Sequence, residues 1–192
     1  MNNVNRRDAV QRIALLMGGF ISAPALAGIR GEKTYQGVSI MADESQIALI
    51  REVADVIIPT TSTGGAKAAK VEEFIVRVVR DCYTKEEQEH FYEGLAKLNA
   101  DCKAATSKEF VQADATQKKE ALTKCMLEAD QERKVNRGKK VPNPFFFMIK
   151  ELTTAGYFTS KIGATEALEY LPIPGKFDGC MPISPNQKTW AL

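Results

Sequence analysis

Residues 141–158 read VPNPFFFMIKELTTAGYF, and this stretch decides the fold. Asn143 offers a helix N-cap, and Pro144 at the first helical position surrenders an N–H that no helix uses there. Phe145, Phe146, Phe147, Met148, Ile149 and Leu152 then make a helix too apolar for a one-sided surface position. It is expected at the centre of a set of other helices. Gly156 is expected to end it. The chain beyond, from Tyr157-Phe158 to Leu171-Pro172-Ile173-Pro174-Gly175, is rich in aromatics, Pro and Gly. Such a run either covers its own core or presses against another protein.

The helices that must surround this centre are legible upstream. Asp43 and Gln46 form a capping box, and Ile47, Leu49, Ile50, Val53, Ala54, Val56 and Ile57 keep helical spacing until Pro59 stops them. Thr60 to Gly65 is a polar loop with two permissive glycines. Val71, Phe74, Ile75, Val78, Val79 and Cys82 fall on one helical face. Thr84 with Glu87, and Asp114 with Gln117, repeat the capping box before Phe91, Leu95, Leu98 and Cys102, and before Leu122, Cys125, Met126 and Ala129. No run alternates as a half-buried strand would. The expected fold is all-α, a helical bundle of about five main helices with an irregular C-terminal segment. Its inward residues include Ile50, Val53, Ile57, Phe74, Val78, Phe91, Leu95, Leu122 and Phe146.

The chain has 192 residues, 44% hydrophobic and 26% charged, enough for one domain with a proper core. Its first 27 residues carry Arg6, Arg7 and Arg12 against Asp8, so from totals of 26 basic and 24 acidic residues the remainder keeps 23 of each. A neutral remainder has no basic footprint for nucleic acid. The start itself reads as an address. A basic end, an apolar run from Ile13 to Ile21 and Ala25-Leu26-Ala27 before Gly28 make a secretory signal with cleavage between Ala27 and Gly28. The run is about half of the roughly 20 residues a membrane span requires, so no span is expected after signal removal. Asn5-Arg6-Arg7-Asp8 resembles the twin-arginine signal, with Ala9-Val10-Gln11 where that signal usually has Phe-Leu-Lys. The competing reading is an amphipathic N-terminal helix kept in the mature protein. The expected organisation is a twin-arginine-like export signal over 1–27, a flexible linker over 28–42 and a helical domain over 43–192.

Catalytic signatures are missing from the sequence. Gly64-Gly65-Ala66-Lys67 lacks the spacing of a phosphate loop and follows no strand. His90 is the one histidine, and Glu87-x-x-His90 is half of a di-iron motif whose other half has no second histidine; a solvated helical face with Glu86 and His90 paired is the expected setting. There is no G-x-S-x-G elbow, no G-x-G-x-x-G after a strand and no C-x-x-C-H. Cys82, Cys102, Cys125 and Cys180 allow three disulfide pairings in an exported protein, yet the first three lie in phase with apolar stripes and read equally as buried thiols. The expected site inventory is therefore no catalytic residue, no metal ligand and no cofactor-binding residue.

Two blocks carry a resemblance. Ala54-Asp55-Val56-Ile57-Ile58-Pro59-Thr60, followed by Gly65-Ala66-Lys67 and Val71-Glu72-Glu73-Phe74-Ile75, resembles the first signature of the gluconate 2-dehydrogenase subunit 3 family, with Gly64 where the family usually has proline. Phe146-Phe147, Lys150, Leu152-Thr153 and Gly156-Tyr157-Phe158-Thr159-Ser160, then Glu169-Tyr170, Pro174-Gly175, Phe177 and Gly179-Cys180, resemble the second. The blocks and the helices between them cover Asp43 to about Pro182.

The resemblance implies a non-catalytic small subunit of a periplasmic, FAD-dependent sugar or polyol dehydrogenase. In such complexes a large flavoprotein of the glucose-methanol-choline class carries the FAD and the chemistry, and a cytochrome c subunit often takes the electrons. The small subunit supplies the export signal and supports folding of the large one. The rival class is a free-standing exported helical protein that binds a small molecule. For the first class, the expected partner surface comprises Tyr157, Phe158, Tyr170, Leu171, Pro172, Ile173 and Pro174, because a net-neutral chain must draw on apolar burial for a tight contact.

Overall fold

A computed structural model describes residues 41–139, 141–173, 175, 179–180, 182 and 184–191. Arg6, Arg7, Ala27, Gly28 and Pro174, together with all of the linker before Met41, lie outside the described residues. Among these residues five α-helices follow one another: α1 Glu44–Ile57, α2 Val71–Cys82, α3 Lys85–Thr106, α4 Ala115–Val135 and α5 Phe145–Phe158. A 3-10 turn at Phe110–Gln112 and a π-turn at Gly163–Ala167 complete the set, and no strand forms among the described residues. The fold is an all-α bundle.

All three capping boxes form. Asp43, Thr84 and Asp114 each accept the N–H of the residue three on, whose side chain accepts their own N–H in return. Two unsatisfied backbone donors are thereby closed at the head of each of α1, α3 and α4. The 3-10 turn is fixed by a longer reach, since Phe110 N–H donates to Asn99 Oδ1 at 2.9 Å. Phe110 is consequently buried against the bundle.

Helix α5 is the central element, packing on α1, α2, α3 and α4. Phe145, Phe146, Met148, Ile149, Leu152 and Tyr157 are buried, joined by Ile50, Val53, Phe91, Leu95 and Leu122 from the surrounding helices. Ile57, Phe74 and Val78, expected inward, are half-buried and packed against this core. Each large side chain taken from water contributes about 1.5–3 kcal/mol, which is why the greasiest helix takes the middle.

Both ends of α5 differ from expectation. Pro144, not Asn143, occupies the N-cap, and its carbonyl accepts the N–H groups of Phe147 and Met148 at 3.0 and 3.2 Å. Proline's fixed φ suits the cap with ψ at 143°, so the helix starts one residue late. Gly156 does not stop the helix, which runs on to Phe158. A Cβ there would lie 2.7 Å from Phe74 Cδ1 and 3.1 Å from Val71 Cγ1. The glycine lets α5 and α2 touch.

Cys102 is buried and Cys125 half-buried, as their phase predicted, whereas Cys82 at the last turn of α2 is exposed. All three are free thiols.

Candidate functional site

The last turn of α5 organises the surface that follows it. Tyr157 is 3% exposed, and its hydroxyl donates to the Gly64 carbonyl oxygen at 2.7 Å, with Thr63 Oγ1 at 3.5 Å. The loop after α1 is thus stitched to α5. That loop is folded on itself: Gly65 N–H donates to Thr60 Oγ1 at 3.2 Å, Ala66 N–H donates to the Ile58 carbonyl at 2.9 Å, and a Cβ on Gly65 would sit 2.5 Å from Thr60 N. Its glycines make room for backbone, and Gly65's N–H is spent inside the loop.

An ion-pair chain holds the same loop from the other side. Lys67 Nζ lies 2.9 Å from Glu52 Oε1 and 3.1 Å from Asp55 Oδ2, while Lys118 Nζ of α4 reaches Glu52 Oε2 at 2.7 Å. Burial alone pushes the Glu52 carboxyl up, but hydrogen bonds and charge from Lys118 and Lys67 outweigh it and hold the carboxyl below its ordinary range.

Past α5 the chain reverses sharply. Ser160 Oγ donates to the Tyr157 carbonyl at 2.6 Å and accepts the Gly163 N–H at 3.0 Å. A Cβ on Gly163 would fall 1.9 Å from the Tyr157 carbonyl oxygen, so only glycine fits there. Glu166 in the π-turn accepts the Gly64 N–H at 3.3 Å, and its carbonyl accepts Lys188 Nζ. Glu169 pairs in parallel with Trp190: its N–H donates to the Thr189 carbonyl and its carbonyl accepts the Ala191 N–H, both at 2.9 Å. The C-terminal end straps the root of the segment.

Beyond that root the side chains face solvent. Tyr170 is 56%, Leu171 46% and Ile173 81% exposed, and Pro172 and Phe158 are exposed too. Of the expected partner residues, Tyr157 is corrected: it belongs to this chain's own core, because the inward face of α5 continues to its last turn. Its ring meets Phe158 edge-on at 5.2 Å. Trp190, paired with Glu169 next to Tyr170 in the chain, is a further exposed large apolar side chain that the sequence analysis does not single out. The signal available was a lone tryptophan in a polar tail.

Titratable groups also gather around His90. His90 is half-buried on a groove of about 360 Å³ with Glu93, Lys97, Asp101, Cys125 and Glu128, rather than on a fully solvated face. The Cys125 thiol is pushed up to about 11, chiefly by burial, so it is not a thiolate at neutral pH. No group of His, Cys, Asp and Glu among the described residues has an arrangement that could hold a metal. Nor is any helix among them long and apolar enough to cross a membrane.

The family model for gluconate 2-dehydrogenase subunit 3 matches residues 44–175. The chain belongs to the gluconate 2-dehydrogenase subunit 3 family. It is an accessory subunit of a dehydrogenase complex, and its counterpart is a larger dehydrogenase subunit. The match begins at the first residue of α1 and runs past Ile173, so it takes in the stitched loop, the central helix and the exposed segment of this subunit 3 chain. No curated protein and no solved structure matches it.

Proposed function

We propose that this chain is the non-catalytic small subunit of an exported, FAD-dependent sugar or polyol dehydrogenase, and that it docks on the large flavoprotein through Tyr170, Leu171, Pro172 and Ile173. The observation that carries the docking is the exposure of three large apolar side chains in one short run that lies inside the family match. A monomer has no use for such a run at its surface, whereas a subunit contact gains from burying it. The strap from Lys188 to Ala191 and the π-turn hold the root of the run before docking, which lowers the entropy lost on association.

The FAD resides in the large subunit, and a cytochrome c subunit is the electron acceptor of the complex. The small subunit carries the twin-arginine signal for both, so that the flavoprotein folds around its cofactor and then crosses the membrane with it to the periplasm. Replacing Arg6-Arg7 with Lys-Lys tests this. Dehydrogenase activity and the large chain should both shift from the periplasmic to the cytoplasmic fraction; unchanged periplasmic activity contradicts the carrier role.

A further inference from the structure

A cleft of about 550 Å³ opens between α1, α3 and the 3-10 turn, away from the exposed segment and from the groove at His90. Leu49 and Leu95 form part of its floor, and Gln46, Tyr92, Asn99 and Gln112 bring polar groups to its wall. Tyr92 is 7% exposed, and its hydroxyl is buried with no hydrogen-bond partner among the described residues. A buried hydroxyl left unpaired costs free energy that a ligand group can recover. Burial, then the charge of Asp43, pushes the tyrosine hydroxyl up, so it remains protonated at neutral pH, able to donate and to accept.

The two inner amides are already oriented. Asn99 Oδ1 accepts the Phe110 N–H at 2.9 Å, and Gln46 Oε1 accepts the Asp43 N–H at 3.1 Å. Each therefore keeps its NH2 as the free donor. The carboxylates of the lining are committed as well: Asp43 caps α1, and Glu109 lies 3.8 Å from Lys103. Among the described residues, no Lys, Arg or His lines the cleft. We propose that this cleft binds a neutral polyol of monosaccharide size, whose hydroxyls pair with Tyr92 and the two amides while its C–H face covers Leu49 and Leu95. Fixed amide donors, a tyrosine hydroxyl and a partly apolar floor suit a ring that is polar at its edge and apolar on its face. The wall has the wrong sign for an aldonate anion, although the family's name contains one.

Binding in this cleft does not depend on docking on a flavoprotein, and it is measured on the full chain alone. Backbone amide NMR shifts are followed while D-glucose or D-gluconate, which differ in charge, is added up to about 100 mM, a range that detects millimolar dissociation constants. Glucose should shift the amides of Tyr92, Asn99 and Gln112 saturably, and gluconate should bind about tenfold more weakly or not at all. Tyr92→Phe should weaken glucose binding about tenfold with the rest of the spectrum unchanged. Gln112→Ala, at the exposed rim, should weaken it several-fold without touching the core. No saturable shift, equal binding of gluconate, or undiminished binding by both variants overturns the proposal and leaves the hydroxyl to an ordered water.

Discussion

Tyr157 Oη and the Gly64 carbonyl oxygen lie 2.7 Å apart across 93 residues of sequence, tying the end of the central helix to the loop that follows the first. The same two neighbourhoods are bridged a second time through Gly64 N–H and Glu166. Loop, helix end and π-turn therefore form one rigid corner, from which the exposed segment departs.

Tyr157→Phe removes the hydroxyl and leaves the Gly64 carbonyl to find water. Because the ring stays, the loss should be about 1 kcal/mol, read as a lower urea midpoint at unchanged slope. A variant as stable as the wild type would mean that the corner is held by Glu166 alone.

Much of the bundle is legible in the sequence, and the rest has specific reasons not to be. The capping boxes at Asp43, Thr84 and Asp114 announce themselves because donor and acceptor lie three residues apart. The long apolar run from Phe145 placed α5 at the centre for an equally local reason. Gly156 misled because a glycine that ends a helix and one that admits a neighbouring helix look alike in sequence; Phe74 and Val71, more than 80 residues away, distinguish them. Tyr157 misled similarly, since the Gly64 carbonyl that takes its hydroxyl lies 93 residues away. The exposed run from Tyr170 to Ile173 was legible from its composition, while Trp190 required knowledge of its pairing with Glu169.

Glu52 should make the bundle sensitive to acid. Its folded carboxyl is held below its ordinary value of 4.5, so its stabilisation is fully present above that pH and is lost as pH falls through the depressed folded value. Glu52→Gln should therefore be less stable than the wild type at neutral pH, with the difference shrinking in acid. Urea midpoints across that pH range give the comparison, and parallel profiles would remove Glu52 from the account.

The thiols should react in order of exposure and ionisation. Cys82 is exposed, Cys102 is buried, and Cys125 is pushed up to about 11. Brief iodoacetamide treatment at mildly alkaline pH, read by peptide mass spectrometry, should label Cys82 while sparing Cys102 and Cys125 until denaturant is added. Labelling of Cys125 at the rate of Cys82 would contradict the packing of α4 on α3.

The central claim is that Tyr170 and Ile173 meet the large subunit and not this chain's own core. Both are more than half exposed, so Tyr170→Ser with Ile173→Ser should leave the helical circular dichroism and melting temperature of the isolated chain close to wild type. The most direct measurement is affinity purification of the tagged chain from cells that contain the complex, with flavin absorbance read in the eluate. The wild type should bring down a flavin-bearing large chain, and the double variant should bring down little or none. Equal flavin in both eluates, or an isolated double variant that has lost its helical signal, would contradict the docking surface proposed here.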